Sequence, residues 1–430
     1  MILKEPSKYR KRIMDDVIER HLNTFSAVYL KGPKWSGKTF CCQRLANSEI
    51  NLTVNDYAQL AEINPNIVLD GDNPRLIDEW QECTSLWDKI KVECSSRNKT
   101  GQFLLTGSVN ISDDEKNKIH HSGAGRIDKL VLRTCSLYET GESNGSISLE
   151  EMFNNPDICI GKKSDMSFED IIYSICKGGW PYQFTVKNRE DKLLLAESYI
   201  KSIIDDESGN MNLRLRQRTR QYLRSLARNV QTSTDDETII KDYLSGEINS
   251  SRNEYFELKK IFTNQYLLDY TYAWNPNIRS KTAIRITPKI SFVDPSIGVA
   301  ALGITPLELG QDFNTLGYLF ENLVSRDLKV YMESLSGEVY QYRDRNGLEC
   351  DLVLKAKNGD YALIEVKLGD KRIEEGCSNL LKLSELVMIA QKEGKTKLRE
   401  PKFMAVITSK DFAYKTDDGI YIIPIGCLKN

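Results

Sequence analysis

Val28-Tyr-Leu-Lys-Gly-Pro-Lys-Trp-Ser-Gly-Lys-Thr39 joins a short apolar run to a loop bounded by two glycines and closed by Lys-Thr. Ala27-Val-Tyr-Leu30 reads as a buried strand and Phe40 to Ala46 as the first turns of a helix. Between them, Gly32-x-x-x-x-Gly37-Lys38-Thr39 has the spacing of a phosphate-binding loop, whose glycines let backbone N–H groups close on phosphate oxygens. Gly32, Pro33, Lys34, Trp35, Ser36, Gly37, Lys38, Thr39 and Phe40 are therefore the expected nucleotide contacts. Lys38 is placed to reach the β and γ phosphates as a point charge, and Thr39 to put a hydroxyl on Mg²⁺. The positive end of the following helix faces the same anion. The expected cofactors are ATP and Mg²⁺.

Composition sets the frame around this loop. A chain of 430 residues exceeds one ordinary core, since single cores stop growing at roughly 250–300 residues, so two or three domains are expected. With 40% hydrophobic and 28% charged residues it reads as a globular protein, and no stretch nears the roughly 20 apolar residues of a membrane helix. No membrane partner is expected. Met1-Ile-Leu-Lys-Glu-Pro shows no secretory signal, and the ten cysteines contain no C-x-x-C pair. Together these predict a reduced chain in the cytoplasm. Three histidines, His21, His120 and His121, argue against a histidine-rich zinc centre, leaving a hard ion held by oxygen as the expected metal. A formal net charge of −2 gives no global argument for nucleic acid, so that argument rests on local patches.

Further along the chain, Ile13, Val17, Ile18 and Leu22 predict a packing helix before the first strand, and Ile50-Asn-Leu-Thr-Val54 a second strand. Arg75-Leu-Ile-Asp78-Glu79 ends an apolar run in two consecutive acids and resembles a Walker B strand. In that reading Asp78 holds Mg²⁺ and Glu79 polarises the attacking water. Phe103-Leu-Leu-Thr-Gly-Ser108 is another buried run, ending in hydroxyls, and resembles the sensor strand of AAA-type ATPases. Arg126, in the glycine-rich His121-Ser-Gly-Ala-Gly-Arg126, is a candidate for stabilising phosphate charge, from its own chain or another.

The loop, Asp78-Glu79, Leu105-Thr-Gly-Ser108, Gly125-Arg126, Ser136-Leu-Tyr-Glu139 and Gly178-Gly-Trp-Pro181 together resemble the prokaryotic AAA-family ATP-binding proteins that carry a C-terminal domain of unknown function. The resemblance is strongest at 28–140 and 310–368. It implies a P-loop α/β ATPase module followed by a part similar to PD-(D/E)xK restriction-endonuclease-like folds, with no established substrate.

Residues 140–167, rich in Gly, Asn and Pro, read as a polar connection between domains, and 168–207 as a helical lid. Arg214, Arg216, Arg218, Arg220, Arg224 and Arg228 crowd the next segment, followed by Thr234-x-x-Glu237 and Ser251-x-x-Glu254, which have the form of capping boxes. Three helices and two strands in this order resemble a winged helix, a fold used on DNA and also for protein contacts.

The last region reads as an α/β domain. A helix from Thr315 carries Glu321 beside an apolar stripe, and strands at 349–356 and 361–368 meet at Asn358-Gly359. Glu365 and Lys367 leave one face of their strand. A two-residue Asn-Gly loop would put Asp351 on the opposite face. A three-residue loop, Lys357-Asn358-Gly359, pairs Asp351 with Glu365 and gathers Leu352, Leu354, Ala362, Ile364 and Val366 on one apolar face, so patterning favours it. Glu321, Asp351 and Glu365 are then the expected ligands of a second Mg²⁺, with Lys367 activating water or steadying a phosphate.

The expected architecture is α/β throughout its ends: a P-loop ATPase domain over 1–165, a helical lid and winged-helix-like region over 166–305, and a nuclease-like domain over 306–430. Two functions follow. In one, ATP hydrolysis drives or licenses action on DNA or RNA; in the other, the chain is an ATP-dependent switch or scaffold whose C-terminal domain binds a protein partner without chemistry.

Overall fold

The computed structural model describes residues 9–109, 119, 123–208, 213–232, 236–246, 250–276 and 287–430. His120, His121 and Thr234, singled out above, lie outside them. The chain divides into two compact units, one of residues 1–134 with 260–267 and one of 135–259 with 268–430. No described helix is long and apolar enough to cross a membrane.

The first unit is built on a five-stranded, all-parallel sheet: β1 (Ala27–Lys31), β2 (Ser48–Asn51), β3 (Arg75–Asp78), β4 (Phe103–Gly107) and β5 (Ile127–Val131), in the order β2-β3-β4-β1-β5. Alternation along β1 serves both faces. Val28 and Leu30 pack under helix α1 (Ile13–Leu22) with Val17, Ile18 and Leu104, whereas Ala27 and Tyr29 join Trp80, Trp87 and Ile90 on the other side. Trp87 and Ile90 come from α3 (Leu86–Arg97), and the phosphate loop runs from β1 into α2 (Lys38–Leu45). β2 ends earlier than its alternation suggests. The Asn51 side chain accepts from the Thr53 N–H at 2.8 Å and turns the chain there. β5 escaped the sequence reading because Asp128 and Lys129 interrupt its apolar run, which an edge strand tolerates.

In the second unit the segment expected to be a polar connection is packed instead. Ile147-Ser148 pairs in parallel with Leu428-Lys429, the Ser143 hydroxyl donates to Leu428 O at 2.6 Å, and Ile147, Leu149, Met152 and Cys159 are buried. Its apolar residues are spaced irregularly among polar ones, so no period betrays them.

Helices α4 (Phe168–Lys177), α5 (Leu194–Ser208), α6 (Leu213–Arg228), α7 (Asp236–Leu244) and α8 (Arg252–Asn264) follow, then an antiparallel pair, β6 (Leu268–Thr271) and β7 (Lys289–Phe292). The Ser251 box closes: Ser251 N–H donates to Glu254 Oε2 at 2.7 Å and Glu254 N–H to Ser251 Oγ at 3.3 Å. The arginines of α6 divide. Arg218 pairs with Glu254 and Arg228 with Asp242, while Arg220 and Arg224 are exposed.

A buried junction explains Gly178-Gly-Trp-Pro181. Gly179 N–H donates to Asp294 Oδ2 at 2.9 Å, Trp180 Nε1 to Ser296 Oγ at 3.0 Å, and Arg326 Nη1 to the same Asp294 oxygen at 3.0 Å. A Cβ at Gly179 would lie 2.0 Å from Cys135 O, so only glycine lets the backbones approach. Asp294 also caps α9 (Pro295–Leu302).

After α10 (Phe313–Ser334) comes a six-stranded mixed sheet: β8 (Glu338–Arg343), β9 (Glu349–Lys355), β10 (Tyr361–Lys367), β11 (Met404–Thr408), β12 (Tyr414–Lys415) and β13 (Tyr421–Pro424), in the order β12-β13-β11-β10-β9-β8. Helix α11 (Asp370–Lys392) makes the parallel crossover from β10 to β11. Leu352 pairs with Ile364, Val353 with Leu363 and Leu354 with Ala362, the register that sets Asp351 across from Glu365. Ala356 N–H donates to Asp360 O at 2.8 Å and closes the three-residue loop, with Gly359 at φ 90°. The carboxylate face is covered as well. Val353, Tyr361 and Leu363 pack with Ile373, Leu380 and Val387 of α11.

Candidate active site

The order of the parallel strands assembles the nucleotide site. β4 lies between β1 and β3, so the ends of the phosphate loop strand, the hydroxyl-bearing strand and the Asp78-Glu79 strand stand side by side. Gly32 is fixed by its surroundings: a Cβ there would lie 2.2 Å from Leu132 O. Lys38, 5% exposed, donates to Gly32 O at 3.0 Å and Pro33 O at 2.8 Å. Burial pushes its pKa down to about 8.

Asp78 is held entirely by neutral donors. Thr39 Oγ1 donates to Oδ1 at 3.0 Å, Thr106 Oγ1 donates to the same oxygen, and Asn51 Nδ2 donates to Oδ2 at 2.9 Å. Burial raises its carboxyl pKa. Among the described residues no ammonium or guanidinium pairs with it, so its charge is left for a cation. Hard oxygen donors at Thr39 and Asp78 fit Mg²⁺. Glu79, in the left-handed region at φ 54°, takes Gln81 Nε2 and Ser108 Oγ, the latter at 3.1 Å, while its N–H donates to Thr106 Oγ1 at 3.2 Å. Thr106 and Ser108 thus address the two acids separately.

Two residues of this site went unread. Asn51 reaches Asp78 because β2 and β3 pair Asn51 with Asp78. Arg12, buried before α1, donates to Ser36 O at 3.0 Å and Arg133 O at 3.0 Å and so braces the loop from behind. It directly precedes the helix predicted from Ile13, Val17, Ile18 and Leu22, which read only as packing.

Arg126 is not part of its own chain's site. β5 pairs Ile127 with Ala27, at the amino end of β1, whereas the phosphate loop leaves the carboxyl end. Six residues at about 3.3 Å each separate the two edges by roughly 20 Å. The Arg126 guanidinium instead donates to Asn98 Oδ1 at 3.4 Å. The sequence left open whether Arg126 would serve its own chain or another, and this register sets it apart from its own chain's loop.

Glu321, Asp351, Glu365 and Lys367 do converge, on α10, β9 and β10, and a fifth residue that the sequence did not reveal joins them. Lys289 of β7 lies 2.7 Å from Glu321 Oε1 and 3.4 Å from Asp351 Oδ1. Lys367 lies 3.1 Å from Asp351 Oδ2 and 2.6 Å from Glu365 Oε2, and Val366 N–H donates to Asp351 Oδ2 at 2.9 Å. Burial works to raise Asp351, but the two lysines overrule it and hold the carboxyl down to about 2. Burial and the neighbouring Asp351 push Glu365 up to about 9 and Glu321 up to about 7. Among the described residues Glu365 Oε1 is buried with no hydrogen-bond partner, a desolvated oxygen on which negative charge is costly. The cluster opens on a cleft of about 1040 Å³ lined also by Arg343 and Arg372.

Comparison with known proteins divides the chain in three. Residues 24–141 match an AAA domain, 168–308 a domain of unknown function, DUF8612, and 316–428 another, DUF4143. No curated protein matches. Similar solved structures include the Walker-type ATPase PABY2304 of Pyrococcus abyssi, 12% identical, covering 70% of this chain and 99% of its own, with a TM-score of 0.43. The replication initiator DnaA bound to AMPPCP and single-stranded DNA is 12% identical over 58% of this chain and 85% of its own, TM-score 0.27. The Thermotoga maritima RuvB branch migration motor is 12% identical over 60% and 98%, TM-score 0.26. At these values the structural likenesses carry no inference. The family match at 24–141 and the loop, strand order and paired acids described above make this N-terminal region that of an AAA-type P-loop ATPase.

Proposed function

We propose that the chain binds ATP with Mg²⁺ at residues 32–40 and hydrolyses it, Glu79 being the base that positions water. The observation that carries this is that Lys38 and Thr39, following β1, and Asp78 and Glu79, at the end of β3, flank the carboxyl end of β4, with Thr39 Oγ1 donating to Asp78 Oδ1. Lys38, now resting on loop carbonyls, exchanges them for β and γ phosphate oxygens. Thr39 and Asp78 would hold Mg²⁺, which when bound neutralises phosphate charge. Ser108 keeps Glu79 aimed. Glu79→Gln should retain ATP binding and slow hydrolysis at least ~100-fold, the scale of general-base loss; hydrolysis at the parental rate would sink the assignment.

We read hydrolysis as working a switch whose second unit binds a partner, in a reducing cytoplasm that the ten buried free cysteines support. Lysine counter-ions throughout the acidic cluster favour binding there over metal-assisted cleavage of DNA or RNA. The exposed Arg220 and Arg224 leave phosphate contact open on a different surface. Stimulation of ATP hydrolysis by DNA or RNA would favour the nucleic-acid function; its absence favours the switch.

A further inference from the structure

The PD-(D/E)xK resemblance implies a divalent cation among Glu321, Asp351 and Glu365, and the donor set is testable against that cation. An ion bridging Glu321 and Asp351 needs carboxylate oxygens free to approach to roughly 2.0–2.6 Å. Both Asp351 oxygens are engaged, Oδ1 by Lys289 and Oδ2 by Lys367 and Val366 N–H. Glu321 Oε1 is engaged by Lys289 and Glu365 Oε2 by Lys367, which leaves one oxygen on each of these acids and none on Asp351 for a bridging ion. Among the described residues no group of three His, Cys, Asp or Glu is arranged to hold a metal ion. Lys289 is not a surface side chain that has wandered in. It is 3% exposed, and its backbone is held by the β6–β7 pairing, Lys289 opposite Thr271.

We infer that the Lys289 ammonium occupies the place a divalent cation would take between Glu321 and Asp351, so that the cleft works without metal. The charges balance accordingly. With Glu365 keeping its proton, the Asp351 and Glu321 carboxylates face two fixed ammonium groups, and removing either lysine would leave a buried carboxylate in need of a cation. The chain itself supplies the counter-ion that such a constellation otherwise draws from solution. On the rim Arg343 is paired with Glu349 at 3.1 Å, and Arg372 adds positive charge, which suits an anionic ligand held directly by side chains.

The test is Mn²⁺ binding to the full chain without nucleotide, read by electron paramagnetic resonance of the free ion. Wild type and Asp351→Asn should bind the same amount of Mn²⁺, whereas Lys289→Met should gain one ion per chain and lose it again when combined with Asp351→Asn. A wild-type site that Asp351→Asn removes overturns the inference, as does a folded Lys289→Met that gains none. Should Lys289→Met not fold, the wild-type comparison decides alone, with Glu321→Gln in place of Asp351→Asn if that variant also fails. A site removed by Asp78→Asn but kept in Asp351→Asn belongs to the phosphate loop and leaves the inference standing, so failure here and failure of the nucleotide reading are distinguishable.

Discussion

Asp78, at the end of β3, and Asp351, within β9, are both buried carboxylates, and they are held in opposite ways. Around Asp78 the partners are two hydroxyls and an amide, all neutral. Around Asp351 they are two lysines and a backbone N–H. Neutral donors orient a carboxylate without cancelling its charge, so the first site still attracts a cation and Asp351 already has its own. The lysines differ in the same sense. Lys38 rests on carbonyls and burial weakens its hold on the proton, whereas burial on Lys289 is overcome by Glu321 and Asp351, which hold its pKa well above the ordinary value. A site kept ready for a ligand carries uncompensated charge at some cost in stability; a site that is finished does not.

The largest expected effect is a contrast between matched substitutions. Lys289→Met should destabilise the second unit by about 3–5 kcal/mol, because it strips a buried pair of one partner. Lys38→Met should leave stability unchanged or higher while abolishing ATP binding, since it removes a desolvated charge from a site of similar volume. Chemical denaturation with nucleotide titration checks both, and equal losses of stability would break the comparison.

A smaller effect is expected from pH. Lys38 carries its charge below about 8 and loses it above. Nucleotide affinity should therefore fall as pH rises past about 8, by up to about tenfold per unit, because bound phosphate favours the protonated lysine. Affinity flat from pH 7 to 10 would show that the Lys38 ammonium is not what the phosphates meet.

The smallest effect belongs to Arg126→Ala. At protein concentrations where the chain is monomeric, ATP affinity and hydrolysis should change less than about twofold, the guanidinium being roughly 20 Å from the loop edge along the strands. A large loss of hydrolysis that appears only as concentration rises would assign Arg126 to the site of a neighbouring copy.

Contiguous sequence was enough wherever one segment carries its own geometry. Val28 to Thr39 specifies strand, loop and helix start within a dozen residues, and Asp78-Glu79 marks the end of its strand by closing an apolar run. The hairpin register came from the same source. A one-residue slip would have sent either Asp351 or five apolar side chains to the wrong face, so pattern alone selected the three-residue loop. Tertiary structure decided everything that joins separate segments. Asn51 became a partner of Asp78 through strand pairing, Arg126 was carried to the far edge by the β1–β5 register, and residues 140–167 were packed by contacts with the last strands. Lys289 is the clearest case. Nothing in Lys289-Ile-Ser-Phe292 announces a counter-ion, and its role exists only because β7 delivers it to acids that lie 32 and 62 residues away. Charge compensation acts through space at a few ångströms, and sequence order does not encode that distance.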